Sequence, residues 1–189
     1  RGLTDALYRK TRDAYNRILG DDRNGYLSSD SITPEELIEL NLAFDTFQRL
    51  ADVGHGKAYF PLSLIYMHGR GIPKNEECAR HYADLAFDWC FANRSQNDPE
   101  IWNDLGSLYR LKHDAAQTDG EPQNFVEAVR WYRLAAGQGY VLAQSNLGRM
   151  YEAGRGVPED DAEAAKWYRL AADQGNYWAQ IILGFMYED

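Results

Sequence analysis

Asp22, Asn24 and Gly25, followed by Tyr26 and Leu27, imitate the middle of an EF-hand calcium loop, where spaced oxygens surround the ion and a glycine makes the sharp turn. Aligning Gly25 with that glycine puts Gly20 at the first ligand position and Ser31 at the twelfth, so the leading carboxylate and the bidentate glutamate are both missing. A turn between two helices accounts for the same residues. The histidines, His55, His68, His81 and His113, include no pair three or four apart, and none stands beside a cysteine at zinc-ligand spacing. Cys78 and Cys90 fall in one helical stretch, about 18 Å apart along its axis, beyond the reach of a disulfide; both are expected to be reduced and buried. There is no Ser-x-x-Lys nucleophile and no phosphate-cradling glycine loop. The acidic run Glu159, Asp160, Asp161 with Glu163 suits a helix N-terminus through the helix dipole. These residues predict no metal site, no cofactor and no catalytic centre.

Elements that could position a binding face are easier to find. The 189 residues are 44% apolar, enough for a sizeable core, and carry a formal charge of −9, which would repel a phosphate backbone and argues against nucleic acid as a partner. No run approaches the roughly 18 apolar residues of a membrane span, so no membrane insertion is expected. Two unbridged thiols fit a reducing compartment such as the cytoplasm and also suit a bacterial periplasm, leaving the compartment open. The opening residues, Arg1 to Asp5, resemble neither a signal peptide nor a native start, and the chain reads as a piece of a longer protein.

Self-similarity sets the architecture. Ala143, Leu147, Gly148, Met150 and Tyr151 recur 36 residues later as Ala179, Leu183, Gly184, Met186 and Tyr187, and Trp131 to Ala136 recurs at the same shift as Trp167 to Ala172. Leu105, Gly106 and Tyr109 precede their counterparts by 42, the same period with a six-residue insertion around Asp119-Gly120-Glu121-Pro122. A more divergent copy places Ala58, Leu62, Tyr66, Gly69, Gly71 and Pro73 on the same pattern, with Ser63 replacing the packing glycine. Ala43, Phe47, Ala51 and Gly54 match the second half of a degenerate unit, and Leu3 to Leu19 reads as a separate helix.

Each unit divides into two helices because apolar positions recur three and four apart until Gly154-Arg155-Gly156-Val157-Pro158 interrupts them. Asp160 with Glu163, Asn124 with Glu127, and Thr33 with Glu36 after Pro34 have the spacing of helix starts. Gly139 and Gly175 mark helix ends, where a left-handed residue closes the last turn. Small residues such as Gly148, Ala143 and Ala171 should let paired helices approach, while Tyr151, Trp167 and Tyr168 fill the space between neighbouring pairs.

These residues resemble the Sel-one-like repeat family, relatives of tetratricopeptide repeats, whose units carry an Ala…Leu-Gly…Tyr…Gly-x-Gly-Val first half and an Ala…Trp-Tyr…Ala-Ala…Gly second half. The resemblance is strong over 96–189 and weaker over 54–92. It implies an all-α fold, a right-handed superhelical solenoid of helix-turn-helix repeats, with first helices lining a concave surface that binds other proteins. The expected organisation is an N-terminal helix and turn at 1–32, then a solenoid at 33–189. Within it, a degenerate half repeat spans 33–55, full repeats span about 56–98, 99–140 and 141–177, and the first helix of a further unit spans 178–189.

Carrying tetratricopeptide geometry across puts Glu100, Asn103, Ser107 and Arg110, then Leu142, Ser145, Arg149 and Glu152, on the concave side. Asn103 and Ser145 could bond a peptide backbone, and Arg110 or Arg149 could pair with a carboxylate through the planar guanidinium. The plainer reading is a solvated polar face on which Arg149 pairs with Glu152 or Glu188. Toward the two ends these positions turn apolar: Phe60, Leu64 and Met67, and Trp178, Ile181 and Phe185. The first set could pack on the N-terminal helices. The second could meet a following repeat or a second copy, giving a homodimer through the C-terminal end. The expected function is a noncatalytic scaffold or adaptor for a protein or peptide; the alternative is a regulatory or oligomerising module of a larger enzyme or envelope protein.

Overall fold

The computed structural model describes residues 2–19, 32–69, 71–116 and 122–186. The calcium-like segment 22–28, with Gly20 and Ser31, the insertion residues 119–121, Tyr187 and Glu188 lie outside them, as does the side chain of His113. Among the described residues the only regular structure is helical: α1 (Gly2–Leu19), α2 (Pro34–Asp52), α3 (Tyr59–His68), α4 (Glu76–Asn93), α5 (Pro99–Ala116), α6 (Pro122–Gly137), α7 (Val141–Glu152), α8 (Asp161–Asp173) and α9 (Tyr177–Met186), with single 3-10 turns at Gly56–Ala58 and Arg94–Gln96. The chain is an all-α helical-repeat solenoid, and it divides into two compact units, one ending at Cys90 and the other starting at Phe91.

In the first unit, α1 packs on α2 and α2 on α3. Tyr8 and Tyr15 of α1 enclose Phe47 of α2, with Leu40, Ala43, Leu50, Leu62 and Ile65 completing the core. Ala43 and Phe47 are buried as the degenerate repeat requires. Ser63, standing where other units have glycine, is buried and donates its hydroxyl to the Phe60 carbonyl at 2.7 Å, which satisfies the extra polar group within its own helix. Tyr66 stacks on Tyr82 across the hairpin, with ring centroids 5.7 Å apart. His55, in the turn after α2, is half-buried, with its ring against Tyr8 and within 3.6 Å of the Asp5 carboxylate. Cys90 is buried and Cys78 half-buried, and both are free thiols on α4.

In the second unit, α5 to α9 pack each on the next. The start of α8 is capped by Asp160, whose carboxylate accepts from the Glu163 amide at 2.9 Å. Thr33 and Glu36 form a reciprocal capping box at the start of α2. The Asn124 start is misplaced: α6 already begins at Pro122, so Asn124 lies inside the helix. Proline is suited to a first helical position because its missing N–H would have no partner there. Gly139 and Gly175 adopt φ of 81° and 87° as expected of helix ends.

Candidate protein-interaction site

The repeat register brings each first helix close to its own second helix, α5 to α6 and α7 to α8, through its small residues. A Cβ on Gly106 would sit 2.6 Å from the Tyr132 ring, and one on Gly148 would sit 2.6 Å from the Tyr168 ring. Each second helix therefore lays a tyrosine directly over a glycine of the first. Both rings are fully buried, and each hydroxyl finds a partner: Tyr132 with Ser107 Oγ at 3.1 Å, Tyr168 donating to Glu152 at 2.7 Å. Burial first, and then the hydrogen bond to Glu152, push the Tyr168 phenol well above its ordinary pKa.

The expected concave residues divide into two sets. Asn103, Ser107 and Ser145 are buried, at 0%, 3% and 3% exposure, rather than open to a ligand. Asn103 donates to Asp104 and accepts from Asn146 of α7 at 3.0 Å, and Arg149 in turn donates to Asn146 at 3.2 Å. This is a polar ladder between first helices, and amide pairing satisfies groups that would otherwise be costly to bury. Glu100, Arg110, Leu142, Arg149 and Glu152 are half-buried. Arg149 is bonded to Asn146, while Glu152 accepts from Tyr168. Sequence reasoning missed Asn146, because nothing local marks a hydrogen-bond partner 43 residues away, and it missed Asp104, the neighbour of Asn103 in the chain, because a carboxylate reads as exposed.

The apolar positions also part ways. Phe60 and Leu64 are buried and Met67 half-buried, whereas Phe185 is 64% exposed. Ile181 is exposed at the margin, and Trp178 packs edge-on against Tyr168 at 5.5 Å between centroids. Among the described residues no group of three or more histidine, cysteine or carboxylate side chains could hold a metal ion, and no helix is long and apolar enough to cross a membrane.

The turn glycines carry the family signature into backbone geometry. Gly71 and Gly156 both have positive φ, 77° and 72°, and both press against the preceding second helix: Gly71 on Asn41 of α2, Gly156 on the Phe125 carbonyl of α6. These hairpins coincide with three matches to the Sel1 repeat family model, at residues 56–88, 104–140 and 141–176. The chain belongs to the Sel1 repeat family.

Two solved structures are similar to this Sel1 repeat chain. One is a Sel1 repeat protein from Oxalobacter formigenes, 32% identical, with a TM-score of 0.43, over 73% of this chain and 94% of that one. The other is c5321, a protective antigen of uropathogenic Escherichia coli strains with an SLR fold, 30% identical, with a TM-score of 0.49, over 97% of this chain. The chain spans 36% of that antigen's length. No curated protein matches the chain significantly. Sel1 repeat proteins generally mediate protein–protein interactions.

Proposed function

We propose that this Sel1 repeat chain is a noncatalytic scaffold that binds a protein or an extended peptide along the face built from α5 and α7. The observation that supports this reading is the ladder Asn103–Asn146–Arg149, which fixes a guanidinium at the edge of a buried polar seam. Arg149 and Arg110 are the recognition groups, offering paired donors to a carboxylate, and Glu152 offers the opposite charge. Asn103, Ser107 and Ser145 serve this face from beneath, as supports. Affinity is spread over many modest contacts, as suits an adaptor. The test is capture from the source cells with the wild type and with Arg110→Ala/Arg149→Ala, read by mass spectrometry. A protein retained by the wild type and lost by the variant is expected; the same protein retained by both overturns the face.

A second reading, self-association through α9, rests on Tyr177 and Phe185, which are 74% and 64% exposed, and on Gly184, which has open space where Gly106 and Gly148 each meet a tyrosine. A concentration-dependent dimer in sedimentation velocity, abolished by Phe185→Glu, is its expected signature, and a monomer at all concentrations refutes it.

A further inference from the structure

α9 repeats α7 on the side that packs against α8 and departs from it on the other. Ala179, Leu183 and Met186 keep the identities of Ala143, Leu147 and Met150, 36 residues earlier, and Ala179 and Leu183 are buried with Ala164, Tyr168 and Ala171 of α8. Gly184 likewise keeps the identity of Gly148. Val141, Ser145 and Arg149 of α7, by contrast, are replaced in α9 by Tyr177, Ile181 and Phe185. The three in α7 are buried or half-buried, and the three in α9 are exposed.

Tyr177, Ile181 and Gly184 follow one another by four and three residues, so they share one face of α9. That face carries both halves of a contact the chain already makes twice, a tyrosine ring laid over a glycine of the neighbouring helix. Tyr132 covers Gly106 and Tyr168 covers Gly148, each pair joining the two antiparallel helices of a hairpin. At Gly184 a Cβ would meet no described atom within 4 Å, so this glycine leaves a hole. Two turns before it, about 10 Å along the axis, Tyr177 stands 74% exposed as a matching knob.

We infer that this face is a two-fold interface between copies of the chain, in which Tyr177 of each copy covers Gly184 of the other. The inference rests on self-association through α9 and adds its direction and register. The two α9 helices run antiparallel, with the axis between Gln180 and Ile181, so that both holes close at once. A parallel pair would instead set tyrosine against tyrosine. Charge also favours a second copy, because Tyr177–Met186 contains no charged residue, and two chains of net charge −9 meet here without like charges from this helix. A helix of another protein would need its own ring and its own glycine seven residues apart, which a second copy supplies by identity. Elsewhere in a second copy the fit is poorer, since every other tyrosine among the described residues is buried or half-buried.

The test uses the full chain and reads direction and register separately from association. Tyr177→Cys and Gly184→Cys are prepared as two variants and oxidised alone and mixed. A disulfide-linked dimer is expected only in the mixture, where one native Tyr177–Gly184 contact remains; in a parallel pair Tyr177→Cys would cross-link alone. Gly184→Leu, at an exposed position, fills the hole and should weaken the dimer about tenfold or more in sedimentation velocity, with circular dichroism unchanged. A wild type that stays monomeric at all concentrations overturns the inference together with the self-association on which it rests. A dimer that Phe185→Glu dissolves, but that Gly184→Leu leaves intact and the mixture fails to cross-link, keeps self-association and overturns the antiparallel register.

Discussion

Single residues control how closely the helices approach. Gly148→Ala forces a Cβ to 2.6 Å from the buried Tyr168 ring, and this overpacking should cost about 1–3 kcal/mol, partly offset by better helix propensity. Gly184 holds the same place in the next unit with open space around it, so Gly184→Ala should stabilise by about 0.5–1 kcal/mol. Denaturant midpoints of the two variants check this; equal shifts in one direction would contradict the register. Tyr168 adds a pH dependence. Its phenol is held protonated in the fold, so stability is fully present below the unfolded value near pH 10 and is lost as pH rises above it. Tyr168→Phe removes the bond to Glu152, costing about 1–2 kcal/mol at neutral pH, and should flatten the alkaline loss, as pH-dependent denaturation would record. The glycine–tyrosine pairs were legible because both partners repeat at a fixed shift. The burial of Asn103 was not, since a polar side chain on a first helix reads as exposed until the neighbouring first helix supplies Asn146.

At the scale of elements, caps and turns fix where helices begin and how hairpins seat. Glu36 is held below the ordinary carboxylate pKa first by the Thr33 backbone amide and then by the Thr33 hydroxyl. The capping box therefore contributes above the unfolded pKa and fades as pH falls through the lowered value. Thr33→Ala should raise the Glu36 pKa toward the ordinary value in an NMR-detected titration, and an unchanged pKa would contradict the box. Gly156→Ala combines a positive φ with a Cβ 2.4 Å from the Phe125 carbonyl carbon, a contact with backbone that cannot swing aside. Its expected cost, about 2 kcal/mol or more, exceeds that of Gly139→Ala, which shares the positive φ but meets open space; thermal unfolding compares the two. Helix existence was readable from apolar period and the breaking glycines. The start of α6 was not, because Asn124 carries a cap spacing that Pro122 pre-empts.

For the molecule as a whole, the repeat is the unit of packing. In the second unit each hairpin buries a glycine of its first helix against a tyrosine of its second, which leaves outward positions free to vary with the partner. That separation explains why family membership is plain in the sequence while the partner is not. The central claim is that the edge of the polar seam between α5 and α7 is where a protein binds, and calorimetric titration of the captured partner tests it most directly. With Arg110→Ala/Arg149→Ala/Glu152→Ala, folded by circular dichroism, affinity should fall at least tenfold relative to the wild type; undiminished affinity would contradict the account.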